Sequence, residues 1–102
     1  MSMTFTTLSS RQLDLAVWSV TYLSESHRDD VALDDAFGCT HDELRVLRGK
    51  LGAGLSLTVD QRELAASAVE FLGARVGPDE LGAIFATTRE ELGDLVAALR
   101  VA

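Results

Sequence analysis

Apolar residues recur along this chain at intervals of three and four, the spacing of one face of an α-helix. The clearest runs are Leu44, Leu47, Leu51 and, further on, Leu92, Leu95, Leu99. Leu15, Ala16, Val20, Tyr22 and Leu23 cover one broad face of an earlier segment, and Leu64, Ala65, Val69, Phe71 and Leu72 do so in a later one. No stretch sustains the apolar–polar alternation of a half-buried strand. Start signals frame the runs. "SSRQ" (Ser9, Gln12), "THDE" (Thr40, Glu43), "TVDQ" (Thr58, Gln61) and "TREE" (Thr88, Glu91) each have the form of a capping box. In that device a hydroxyl accepts from a free backbone N–H three residues on, and the Glu or Gln reaches back. Pro78 suits a first helical position, where its missing N–H would have no partner anyway. Asp29, Asp30, Asp79 and Glu80 fall near helix starts, at the positive end of the dipole. The pattern predicts helices over about Ser10–Ser24, Asp30–Phe37, Val59–Arg75 and Pro78–Phe85, plus one opened by Thr40 and one by Thr88. The expected class is all-α with six helices.

The helices come in two sets. "LSSRQLDLAVWSVTYLS" (Leu8–Ser24) aligns with "LTVDQRELAASAVEFLG" (Leu57–Gly73) at an offset of 49. "LDDAFGCTHDELRVLRGKL" (Leu33–Leu51) aligns with "LGAIFATTREELGDLVAAL" (Leu81–Leu99) at an offset of 48, so the first copy holds one extra residue near Glu25–Asp29. The shared positions are core and cap positions, and a repeat of those implies a repeat of backbone. The expected organisation is a three-helix unit at 8–52 and another at 56–102, together one compact domain. Gly49, Gly52 and Gly54 end the first unit and make the linker. Residues 1–7 are expected to be a flexible N-terminal segment, with Met1 and Ser2 standing ahead of a second candidate start at Met3.

Differences between the copies point to function. Leu13 and Trp18 stand opposite Arg62 and Ser67, and Val17 stands opposite Ala66. The first copy thus carries apolar surface that the second lacks. Leu13, Val17 and Trp18 either pack between the halves or form a dimer or partner surface.

Charge narrows the partners. The formal net charge is −7, with eight acids against five bases in residues 1–51 and eight against four in residues 52–102. Acidity spread over the whole chain disfavours broad contact with phosphate backbones or anionic membranes. Cys39 is the only cysteine, which excludes an intramolecular disulfide and suits a reducing, cytoplasmic setting. No apolar run approaches the length of a membrane span.

"LDDAFGCTHDELRVLRGKL" looks like a helix-turn-helix of the repressor type. Ala36 matches the small residue inside the second-last helix, Gly38 the turn glycine and Thr40 the cap of the recognition helix. Leu44 and Leu47 match the apolar positions that follow. The resemblance implies close approach of two helices at Ala36 and DNA contact from the start of the third helix. Thr40, His41, Arg45 and Arg48, with Lys50, would make that contact, in a homodimer. The second copy departs from the pattern, with Ile84 for the small residue and Ala86 for the glycine.

Catalytic arrangements are scarce. His27 and His41 are expected to be surface residues and Cys39 a buried turn residue. Asp34, Asp35, His41 and Asp42 match no metal-loop spacing. No cofactor is expected. The sequence therefore favours a small acidic interaction module, a regulator or inhibitor that docks on another protein or on a second copy. A DNA-binding regulator is the alternative, and an enzyme is a distant third.

Overall fold

Six helices form where the capping and apolar patterns place them: α1 Ser10–Ser26, α2 Asp30–Phe37, α3 His41–Ala53, α4 Val59–Arg75, α5 Pro78–Phe85 and α6 Arg89–Val101. The structure, a computed structural model, describes residues 8–55 and 57–101, and no strand occurs among them. The segment 1–7, with Met1 and Ser2, lies outside the described residues. Helix lengths run 17, 8 and 13 residues, then 17, 8 and 13 again. No helix of the described residues is long and apolar enough to cross a membrane.

The caps explain the starts. Ser9 with Gln12, Thr40 with Glu43 and Thr58 with Gln61 each close a capping box in both directions. Thr88 Oγ1 accepts from the Glu91 N–H at 3.1 Å, as expected for the fourth box. The Glu91 carboxylate turns elsewhere, to Arg11 and Thr87.

The end of α3 differs from expectation. Gly49 and Gly52 lie inside the helix, not in a linker. Leu51 is fully buried, so the core holds the last turn helical despite glycine's entropic cost. The helix stops at Gly54, whose φ is +68°. There the Gly54 N–H bonds the Leu51 carbonyl and the Leu55 N–H bonds the Lys50 carbonyl, the paired bonds of a Schellman end.

α1 and α4 form the centre. They pack on each other; α3 lies on α1, α6 lies on α4, and α1 also reaches α6. Ala16, Ser19, Ala65, Ala66 and Ala68 are fully buried on the two long helices, and such short side chains let backbones approach closely. The buried Ser19 hydroxyl donates to the Leu15 carbonyl at 2.8 Å, so burial leaves it satisfied. Leucines from all six helices, including Leu15, Leu47, Leu72 and Leu95, join in one continuous core.

The short helices are anchored more lightly. Each buries one leucine, Leu33 in α2 and Leu81 in α5. Each also lays a half-buried phenylalanine on the long helix of the other half. Phe37 meets Phe71 edge-on at 5.6 Å, and Phe85 meets Trp18 at 6.1 Å. Ala36 is exposed and makes no close helix approach; Leu33 and Cys39 are the buried residues on either side of it.

Gly38 and Ala86 end α2 and α5 in the same left-handed conformation, with φ of +68° and +51°. A Cβ at Gly38 would meet nothing within 4 Å, so only backbone strain opposes it. Left-handed backbone costs a residue with a Cβ about 1 kcal/mol. Gly38→Ala is expected to destabilise the fold by about 1 kcal/mol, and Ala86→Gly to stabilise it by a similar or smaller amount. Urea unfolding of both variants measures the two effects.

Candidate functional site

The expected docking residues divide. Leu13 and Val17 are half-buried and pack against the core. Trp18 keeps 44% of its surface exposed while its ring lies against Phe85. Part of the extra apolar surface of the first copy therefore joins the halves, and Trp18 retains a free face.

The residues proposed for DNA contact are largely committed within the chain. Thr40 is spent in its capping box. His41 is half-buried and ties three elements together. Its Nδ1 lies 2.6 Å from Asp30 Oδ1, its Nε2 lies 3.2 Å from the Ser24 carbonyl oxygen, and its backbone N–H donates to Asp30. Lys50 donates to Gln61 Oε1 at 3.2 Å. Arg45 pairs with Asp42 at 2.7 Å. Arg48 is exposed, with a marginal 3.5 Å contact to Thr21 Oγ1. His27 is partly exposed. It is half-buried in an aromatic cluster, 5.5 Å from the Phe37 ring and 5.2 Å from Phe71.

Cys39 is buried, as the sequence suggests. Burial pushes its thiol up to about 11, with Glu43, Asp34 and Asp30 adding to the shift. A thiol held neutral is a poor nucleophile.

An open groove of about 510 Å³ is present among the described residues. It lies between the α2–α3 turn and the first half of α4. Phe37, Cys39, Val46 and Leu64 supply its apolar lining, and Asp42, Glu43, Asp60 and Glu63 its acidic lining, with α3 and α4 each contributing both kinds. Glu43 enters it from the third position of α3, and Asp60 from the second position of α4. Arg45 engages Asp42 and Arg100 engages Glu63, while Glu43 Oε1 is held by the Thr40 cap. Among the described residues, no hydrogen bond or ion pair takes up the Asp60 carboxylate. A second opening, about 270 Å³, separates α4 from α6 beside Gly73 and Gly93.

At the start of α6 the chemistry is reversed. Arg11, from the second position of α1, bonds Glu91 through Nε at 2.6 Å and Nη2 at 2.9 Å, and also donates to the Ala86 carbonyl. The bond to Arg11, with a second from Thr87, lowers the Glu91 carboxyl to about 2. Neither Arg11–Glu91 nor the acidic groove stands out in the sequence. The available signal is the pair of columns in the repeat where Arg11 meets Asp60 and Trp18 meets Ser67.

His41 offers a direct check of local geometry. Both its ring nitrogens face acceptors, and only the imidazolium donates from both. Its pKa is accordingly raised above 6.5, chiefly by the bond to Asp30, and Asp30 is held below its usual 3.8 by the backbone and ring of His41. A raised histidine pKa contributes stability that is complete below pH 6.5 and is lost as pH climbs through the folded value. The lowered Asp30 contributes above pH 3.8 and loses its effect as pH falls through the folded value. The tie is therefore strongest between those limits. In an imidazole NMR titration, His41 is expected to titrate above 6.5 and to move down toward it in Asp30→Asn.

Comparisons of the chain with protein families, with curated proteins and with solved structures give no match, so the function is argued from the geometry alone.

Proposed function

We propose that this protein is a small interaction module, a regulator or inhibitor that docks on another protein and performs no chemistry of its own. The groove between the α2–α3 turn and α4 is the observation that carries this reading. It is open and lined by both apolar and acidic side chains, the composition that suits a basic, partly apolar segment of a partner. The raised Cys39 thiol and the internal engagement of His27 and His41 support the same reading, because they remove the residues best suited to nucleophilic or acid–base work.

The alternative, a DNA-binding regulator, is left with Arg48 and a paired Arg45 as exposed cations. Specific complexes neutralise several phosphates at once. With a net charge of −7, two exposed arginines supply little of that. A homodimer through Trp18 draws on one partly exposed ring already in contact with Phe85.

Photo-crosslinking in the native host tests the docking reading. A crosslinking residue at Val46 is expected to capture one discrete partner, while one at Ala74, exposed near the end of α4, is expected to capture none. No adduct at Val46, or equal labelling from both positions, would sink the proposal. In a low-salt mobility shift with a genomic fragment pool no complex is expected. A complex that weakens with salt and disappears in Arg45→Glu/Arg48→Glu would promote the DNA reading instead.

A further inference from the structure

The groove has a counterpart within the same chain, and the counterpart is filled. Under the 48- and 49-residue offsets of the repeat, Gly38 corresponds to Ala86, Glu43 to Glu91, Asp60 to Arg11 and Ser67 to Trp18. The helical positions agree. Gly38 and Ala86 are left-handed ends of eight-residue helices, and Asp60 and Arg11 are second residues of 17-residue helices. On the filled side, the Arg11 guanidinium sits on the Ala86 carbonyl and the Glu91 carboxylate. Seven residues further along α1, Trp18 covers Phe85. On the open side, an aspartate and a serine stand in those two places, and the groove of about 510 Å³ lies between them and the α2–α3 turn.

Two differences between the counterparts coincide with the groove. Serine in place of tryptophan uncovers the wall beside Phe37. With aspartate in place of arginine, the Glu43 and Asp60 carboxylates line the same groove, beside the C-terminal end of α2 where the helix dipole also favours a cation. The neighbouring cations are engaged elsewhere: Arg45 with Asp42, Arg100 with Glu63 and Glu70, and Lys50 with Gln61. Both the missing charge and the missing apolar volume are those of a specific pair of side chains.

We propose that the groove receives a segment of another protein that presents an arginine and a large aromatic side chain, replacing in trans what Arg11 and Trp18 supply in cis. This inference rests on the docking reading and names the partner's chemistry. The arginine donates to the Glu43 carboxylate and the Gly38 carbonyl, with Asp60 as a second acceptor. The aromatic ring lies over Ser67 against Phe37 and Leu64. Seven residues on a helix span about 10 Å. Three residues of polyproline II cover about 9 Å and return to the same face, so an Arg-x-x-Trp segment in that conformation matches the spacing.

The probe is acetyl-Arg-Gly-Gly-Trp-amide, titrated into the isotope-labelled protein, with the citrulline analogue as its uncharged control. Saturable amide shifts are expected at Gly38, Glu43, Asp60 and Ser67 and absent around Ala86 and Glu91. Citrulline is expected to weaken binding about tenfold, the loss of one charge-assisted pair. Asp60→Arg/Ser67→Trp, which rebuilds the filled arrangement, is expected to abolish the shifts. Glu43→Gln/Asp60→Asn removes the charge while keeping a residue able to close the Thr40 box, so it reads the same effect if the filled variant does not fold. Groove signals that do not move, equal binding of the citrulline peptide, or undiminished binding by either folded variant would overturn the inference. If crosslinking from Val46 captures its partner equally well in Glu43→Gln/Asp60→Asn, docking stands and the arginine does not. If Val46 captures nothing, the docking reading itself falls.

Discussion

The contact between α1 and α4 is the constraint on which the rest of the structure depends. Both helices bury alanine or serine near the middle of the molecule: Ala16 and Ser19 on one, Ala65, Ala66 and Ala68 on the other. Short side chains give little apolar area each, so close approach must be compensated by larger residues around them. Leu15, Val20, Leu23, Val69 and Leu72 supply that area on the same two helices. Once the pair is set, α3 is carried on α1 and α6 on α4. The short helices then close over the ends through one leucine and one phenylalanine each.

Those phenylalanines matter because they cross between the halves. Phe37 rests on Phe71, and Phe85 on Trp18. Surface polar contacts reinforce the same joints. Arg11 reaches Glu91 and Lys50 reaches Gln61, both between halves. Exposed pairs of this kind contribute little each, so they orient the elements more than they hold them. The Arg11 bond has a further consequence, since it draws the Glu91 carboxylate away from the box it would otherwise close.

The two ends of the molecule share an eight-residue helix with a left-handed end and differ in chemistry. One end has an arginine between a carboxylate and a helix-terminal carbonyl, with a tryptophan against Phe85 seven residues along α1. The other has an aspartate and a serine, and an opening. Matching helix lengths and left-handed helix ends thus carry unequal side chains at the two places. Charge follows the same division: Glu91 is lowered to about 2 by its arginine, whereas burial and nearby acids raise Cys39 to about 11.

Much of the fold was legible in the sequence, because helix starts and apolar faces are local properties. Capping residues placed four of the helix starts, Pro78 placed a fifth, and the leucine spacing identified Leu44, Leu47, Leu51, Leu92, Leu95 and Leu99 as core. The left-handed turn at Gly38 was also local, since glycine adopts it without strain. What failed were inferences about partners. Ala36 was read as a helix contact and is exposed; Gly49 and Gly52 were read as linker and lie in α3. His27 and His41 are partly exposed, and the sequence does not show that both are also engaged by groups distant in the chain. Charges and aromatics find their partners through long-range packing, and no spacing along the chain encodes which helix will face them. The sequence determined six helices, their caps and the repeat of their lengths. Only the tertiary structure decided that Arg11 and Trp18 cover one end of the molecule while Asp60 and Ser67 leave the other open, because that outcome depends on which side chains meet across the α1–α4 pair.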